Sequence, residues 1–184
     1  MRRPIFLDRD GVINIEPSRF GKDYVTIPGE FQFIPQVIPA LKLLIDNNYD
    51  IYVISNQAGV GKGIFSWEQL EEVTKHMLDV LSENGVEIKE VLYCPHRSQD
   101  NCNCRKPRTG NLEIVWDRYQ RLKKERIFFI GDQERDIQTA KNFSILSVLV
   151  LSGKSNFHSL GSFSILPDYI ACDLYDAVIN IVLK

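Results

Sequence analysis

No apolar run in the 184 residues approaches the ~20 residues needed to cross a bilayer, which excludes a helical membrane span. Neither sign of charge dominates. Lys plus Arg number 22 against 24 Asp plus Glu, a formal net charge of -2 with a pI near 5.9. The chain therefore lacks the basic field with which a duplex-coating protein displaces counterions, and no nucleic-acid partner is expected. Internal repeats, low-complexity tracts and Pro/Gly/Ser-rich linkers are also missing. With 44% hydrophobic and 25% charged residues, 11 Gly and 8 Pro, disorder, collagen and coiled coil are excluded. The opening Met1-Arg2-Arg3 reaches Asp8 after only Pro4-Ile5-Phe6-Leu7, too short for a signal h-region, so a cytoplasmic protein without a membrane partner is expected. Against the ~150 residues of an average domain, residues 1–184 read as one domain, and nothing in them demands an oligomer.

Cysteine is scarce, and its distribution is uneven. Of four cysteines, Cys94, Cys102 and Cys104 crowd around His96 while Cys172 stands apart. In a reducing compartment such clustering reads as metal ligation rather than cross-linking. The polar stretch between them, Arg97 to Asn101, offers no core in which thiols could be buried. Three thiols and one imidazole with no spare position describe a closed, tetrahedral structural Zn²⁺ site in loop 94–104. Lys106 follows Cys104 by two residues, so this site would fix the segment that presents Arg105 and Lys106.

Short apolar runs at 5–7, 51–54, 91–93, 127–130, 148–151 and, weakly, 169–171 suit strands buried on both faces. Helix-length segments lie between them. One starts at a capping box of Ser66 and Gln69, continues through Leu70, Val73, Met77, Val80 and Leu81, and ends near Asn84-Gly85. Others are expected at 36–47, 110–124, 134–142 and 173–183. The alternation predicts an α/β Rossmann-like three-layer sandwich with a mainly parallel sheet.

Ligands of such sheets bind beyond the carboxyl ends of the strands, so the residues after each apolar run become the candidate site. They are Asp8-Arg9-Asp10-Gly11, then Ser55-Asn56-Gln57, then the Cys/His cluster with Lys106, then Gly131-Asp132 with Asp136. Carboxylates gathered on one rim repel unless a cation joins them. Asp8, Asp132 and a backbone carbonyl make the hard oxygen set that Mg²⁺ favours. A phosphoryl group suits that cation, with Lys106 neutralising charge and the Ser55 hydroxyl donating a hydrogen bond. Of the pair Asp8 and Asp10, one could attack while the other handles protons, through an aspartyl-phosphate. The alternative for Asp136 is a simple helix cap.

These four blocks, in order, resemble the motifs of the haloacid dehalogenase superfamily of phosphatases. The resemblance implies Asp8 as nucleophile, Asp10 as acid and then base, and Ser55 and Lys106 as ligands of the transferring phosphoryl group. It also implies Mg²⁺ on Asp8, the Asp10 carbonyl and Asp132, with Asp136 outside or supporting that set. The Cys/His loop and the absence of room for a cap domain between Asp10 and Ser55 resemble a narrower branch, the zinc-containing heptose bisphosphate and histidinol-phosphate phosphatases. Loops 14–33, 58–65 and 94–104 would then roof the site, Gly59, Gly61 and Gly63 serving either anion approach or a flexible turn.

The substrate expected is a small phosphate ester. Asn56 to Phe65 and Arg105 to Gly110 resemble the heptose bisphosphate enzymes, whereas Glu16-Pro17 and Asp136-Ile137-Gln138 resemble the histidinol-phosphate enzymes. A bisphosphate needs a second anion site, for which Arg105, Arg108 and Lys62 are the candidates, with Arg19 and Lys22 on the roof. Asn56 and Gln57 are further candidate substrate contacts. D-glycero-D-manno-heptose 1,7-bisphosphate, cleaved at the 7-phosphate, is favoured over histidinol phosphate. An inactive phospho-ligand adaptor and a nucleic-acid 3′-phosphatase are weaker readings. His76, His158, Trp67 and Trp116 read as structural or solvent-facing, and Cys172 as a small core residue.

Overall fold

The computed structural model describes residues 2–184. Each apolar run forms a strand, extended at one or both ends in most cases: β1 (Arg3–Leu7), β2 (Tyr49–Asn56), β3 (Ile88–Cys94), β4 (Phe128–Gly131), β5 (Leu146–Val150) and β6 (Tyr169–Ala171). Their order in the sheet is β3-β2-β1-β4-β5-β6, and every neighbouring pair is parallel. The chain builds outward from β1 to β3, then returns to the other side of β1 as β4. That reversal opens a crevice beyond the carboxyl ends of β1 and β4.

Side chains along a strand alternate between faces, and the alternation separates two cores. Ile5, Leu7, Ile51, Val53, Ile130 and Val148 belong to one, under helices α1 (Val37–Asp46), α3 (Trp67–Glu83) and α6 (Leu174–Ala177). Phe6, Tyr52, Ile54 and Phe129 belong to the other, under α4 (Gly110–Trp116) and α5 (Glu134–Phe143). The remaining helix, α2 (Ala58–Gly61), is a single turn after β2. Three layers result, as expected. The edge strands depart from burial on both faces: β3 is largely half-exposed, and Tyr169 and Ile170 of β6 stand open to solvent.

The capping box of α3 forms as expected, with Ser66 Oγ accepting from the Gln69 amide at 3.2 Å and Gln69 Oε1 accepting from the Ser66 amide at 2.9 Å. Helix α4 stops at Trp116 instead of running to 124. The polar residues that follow give it no face to bury, and Tyr119 turns its hydroxyl to Asp50 (2.6 Å) and Tyr52 (2.9 Å) at the start of β2. The last helical segment changes winding, α6 continuing as a π turn over Val178–Val182. Cys172 is exposed rather than in the core, because its amide donates to Asp176 (2.8 Å) as the chain turns into α6. Among the described residues no cap domain interrupts the crevice. Segment 14–33 folds as a loop with turns at Pro17–Phe20 and Pro28–Glu30, pinned by Ile15 N to Gln32 O at 2.8 Å. No helix among the described residues is long and apolar enough to cross a membrane.

Phe6 is fully buried, with ring centroids 6.1 Å from Tyr52 and 6.4 Å from both Phe129 and Phe143. Phe6→Ala is expected to destabilise the fold by about 3–5 kcal/mol in urea unfolding, whereas Ile179→Ala on the surface should change it by no more than about 0.5 kcal/mol.

Candidate active site

Asp8 directly follows β1, its amide donating to Ile130 O of β4 at 2.9 Å. The loop then turns at Gly11, whose φ is 82°. A Cβ at Gly11 would stand 2.5 Å from Asp132 Oδ2, and one at Gly153 would stand 2.0 Å from the same atom. Only glycine lets both loops close on that carboxylate. Asp132, which follows β4, accepts the Lys154 amide on Oδ2 at 2.7 Å. The tips of β1, β4 and β5 thus meet around one acidic group.

Lys106 enters this cluster from the segment after β3 and is buried. Its ammonium lies 2.8 Å from Asp8 Oδ2, 2.7 Å from Asp136 Oδ1 and 2.9 Å from Ile54 O. Asn56 holds the Lys106 backbone at both ends, Nδ2 donating to Lys106 O (3.1 Å) and Oδ1 accepting from Lys106 N (3.0 Å). Asp136 Oδ2 accepts the Gln133 amide at 3.0 Å. Asp136 therefore caps α5 and pairs with Lys106 at once.

Asp10 is held by a different set. The Arg9 guanidinium, fully buried, grips it through two hydrogen bonds of 3.1 Å. Gln57 Nε2 donates both to Asp10 Oδ2 (2.9 Å) and to Ser55 Oγ (3.0 Å). The two neighbouring acids consequently differ. Burial raises Asp10, but Arg9 and hydrogen bonds from Arg9, Asn14 and Gln57 outweigh it and hold the carboxyl below its usual range. Burial, reinforced by Asp136 and Asp10 and opposed by Lys106, pushes Asp8 up to about 6. Asp132 is likewise raised by burial, with Asp136 and Asp8 adding to it. Asp8, Asp132 and Asp136 each bring an oxygen within 4.8 Å of the others.

A cavity of about 280 Å³ opens over these groups, lined by Asp8, Asp10, Ser55, Asn56, Arg105 and Lys106 among others. The expected substrate contacts divide. Asn56 and Arg105 line the cavity, although Arg105 also donates to His96 O at 3.1 Å. Gln57 is fully buried behind Asp10 and Ser55, which line the cavity where Gln57 itself does not. Arg108 is exposed outside it, bonded to Cys102 O (2.5 Å) and Asn101 Oδ1 (2.7 Å). Arg19 bonds Ser152 O at 3.1 Å, and Lys22 pairs with Glu30. Gly59 and Gly61 serve packing: added Cβ atoms would meet Phe65 at 2.1 Å and Pro95 O at 2.5 Å.

Sequence reading missed Arg9 as the partner of Asp10, and missed Glu16, Arg135 and Lys154 as cavity residues. Lys154 was within reach of the strand-end rule, since it follows β5 by a few residues. Arg9 and Arg135 carried no local signal.

The Cys/His cluster is assembled at the same rim. Cys94 Sγ lies 3.6 Å from Cys102 Sγ and 3.7 Å from His96 Nδ1, which is 3.3 Å from Cys104 Sγ. A tetrahedron built on the Zn–S distance has edges of about 3.8 Å, whereas a disulfide needs about 2.05 Å. Burial pushes the Cys94 and Cys104 thiols up, so deprotonating them calls for a cation among them.

A carboxyl raised on folding stabilises the native state while protonated and loses that contribution as pH climbs through its folded value. For Asp8 the window runs from 3.8 to about 6. The midpoint of thermal unfolding of metal-free protein is therefore expected to rise as pH is lowered from about 7 to about 5. A midpoint that falls steadily over this interval would contradict the buried acidic cluster.

The HAD-hydrolase-like family matches residues 103–177. A D-glycero-beta-D-manno-heptose-1,7-bisphosphate 7-phosphatase of Pseudomonas aeruginosa is 33% identical over 153 residues, covering 83% of each chain. The histidine biosynthesis bifunctional protein HisB of Campylobacter jejuni is 36% identical over 142 residues, which are 77% of this chain but 39% of that one. Among solved structures, the D,D-heptose 1,7-bisphosphate phosphatase of B. bronchiseptica, complexed with magnesium and phosphate, superposes with a TM-score of 0.85 at 28% identity, covering 96% of each chain. The parallel sheet, the acidic crevice at its switch point and relatives matched over most of their length agree, and the chain belongs to the haloacid dehalogenase-like phosphatases, among the relatives of the heptose bisphosphate enzymes.

Proposed function

We propose that residues 1–184 act as one domain that hydrolyses D-glycero-D-manno-heptose 1,7-bisphosphate at the 7-phosphate, through an aspartyl-phosphate on Asp8 and with Mg²⁺. The observation that carries the reading is the position of Asp8, facing both the Lys106 ammonium at 2.8 Å and the buried Asp132 cluster at the floor of an open cavity. The substrate is supported by the names of the relatives and by a cavity wall in which Lys62, Arg105, Lys106, Arg135 and Lys154 all take part.

Asp8 and Asp132 fit a magnesium ion, together with the Asp10 carbonyl, because the buried carboxyls of Asp8, Asp132 and Asp136 share the single buried ammonium of Lys106. Asp136 supports rather than ligates, both its oxygens being engaged by Lys106 and the Gln133 amide. When bound, the ion supplies Lewis-acid polarisation of the phosphoryl oxygens. The protein does the rest. An Asp8 oxygen attacks phosphorus as the ester P–O bond breaks, and Asp10 delivers a proton to the leaving oxygen. Held ionised by Arg9, Asp10 takes up for that step a proton that enters with the phosphate monoester. In the second step Asp10 removes a proton from water, water oxygen bonds phosphorus, phosphate leaves with Asp8 restored, and Asp10 gives the proton up to solvent to return to its ionised state beside Arg9. Ser55 and Lys106 hold the phosphoryl oxygens throughout. Cys94, His96, Cys102 and Cys104 hold Zn²⁺ and fix the loop behind Lys106.

Histidinol phosphate is the second reading, favoured by one observation: Glu16 Oε2 is buried beside the cavity without a hydrogen-bond partner, a position an ammonium would satisfy.

Asp8→Asn is expected to lower phosphatase turnover by at least about a thousandfold with the fold retained, and an active variant would remove the nucleophile assignment. In side-by-side kinetics, kcat/KM for heptose 1,7-bisphosphate should exceed that for histidinol phosphate by more than about tenfold, and the reverse order would transfer the protein to the second reading. Elemental analysis of unchelated protein should find one zinc per chain. Cys104→Ser should lower both zinc content and thermal midpoint, and full stability without zinc would leave the cluster as plain thiols.

A further inference from the structure

We infer that Arg135 is a further specificity-determining residue of the cavity, taking part in binding the phosphate that is not cleaved. The inference rests on the reading that the substrate is a sugar bisphosphate. The cations of this region divide by what already occupies them. Lys106 contacts Asp8, Asp136 and Ile54 O and in the proposed reaction serves the phosphoryl group that is transferred. Lys154 pairs with Glu16 at 3.1 Å. Arg108, Arg19 and Lys22 are turned to partners elsewhere. Arg105 gives one nitrogen to His96 O, and Lys62 leans on the Tyr24 hydroxyl at 3.4 Å.

Arg135 differs from all of them. It lines the cavity half-buried and, among the described residues, its guanidinium is engaged by no carboxylate or other side-chain hydrogen bond. Its five N–H donors form a planar fork that matches a phosphate in two-point contact, which an ammonium cannot do. The fork also springs from a fixed base. Arg135 belongs to α5, where its carbonyl accepts the Thr139 hydroxyl at 2.6 Å. The next residue, Asp136, ties the helix to Lys106 and hence to Asp8. The distance from the attacking oxygen to the root of Arg135 is therefore set by the same ion pairs that set the reacting geometry, and a substrate of matching span is selected.

The test compares kcat/KM for heptose 1,7-bisphosphate with that for heptose 7-phosphate, which has the same reacting ester but no second phosphate. Wild-type protein should prefer the bisphosphate. Arg135→Ala should reduce the preference about tenfold or more, chiefly through KM, and Arg135→Lys should restore it only in part. Thermal midpoints of both variants check folding. If wild-type protein prefers the bisphosphate and Arg135→Ala keeps that preference within twofold, or loses rate equally on both substrates, the inference is overturned while the proposed function stands. If wild-type protein has no preference, or fails to cleave the bisphosphate, the inference falls together with the substrate reading.

Discussion

A buried ammonium between two buried carboxylates governs the site. Lys106 meets Asp8 and Asp136 at 2.8 and 2.7 Å, and all three groups are withdrawn from water. Removing one partner of such a group leaves an uncompensated charge in a medium that tolerates it poorly, so the three act as a unit. They come from three places in the chain: the tip of β1, the segment behind the Cys/His loop and the first turn of α5. The pairing therefore fixes how these parts meet. It also leaves a deficit, because Asp132 is buried beside two other carboxyls and its own side-chain oxygens receive only an amide and Gln133. That deficit is what suits the floor of the crevice to a divalent cation.

The Cys/His loop acts on the same unit through the backbone. Gln57 N donates to Cys94 O at 2.8 Å, and Gly61 N donates to Pro95 O at 3.0 Å, so the segment after β2 leans on the loop. Asn56, the last residue of β2, clamps Lys106. The close approach of Gly61 to the Pro95 carbonyl leaves no space for a side chain. Small residues and backbone hydrogen bonds thus connect the Cys/His cluster to the buried Lys106 ammonium, without any of the four clustered side chains lining the cavity. A metal held by those four side chains would stiffen the support of Lys106 at a distance from the cavity.

Much of this was legible in the sequence because parallel strands place their chemistry by rule. Asp8, Ser55 and Asp132 each follow an apolar run, and runs of that kind end at the crevice. The alternation of Ile5, Phe6 and Leu7 already implied two cores. What escaped was direction and distance. Gln57 could equally have lined the cavity, and instead it lies buried behind Asp10 and Ser55, to which it donates. Arg108 flanks Lys106 in sequence but points back to the loop carbonyl of Cys102. The early end of α4 depends on Tyr119 finding Asp50, a contact between residues far apart in the chain. Local pattern contains none of these partners.

Two neighbouring aspartates show how much such partners decide. Asp8 and Asp10 are separated by one residue, the first buried and the second half-buried, yet their proton affinities move in opposite directions. Arg9, the residue between them, lowers Asp10, whereas burial raises Asp8. The Arg9 backbone amide donates to Asp8 Oδ1 at 2.7 Å while its guanidinium grips Asp10, so one residue orients both. In the proposed reaction Asp8, raised by burial, would become a competent attacking group once a cation and Lys106 stabilise its ionised form. Asp10, anchored in two-point contact, would gain and lose a proton without changing place. On that proposal the division of labour between nucleophile and proton carrier lies in the surroundings of two chemically identical groups, not in the groups themselves.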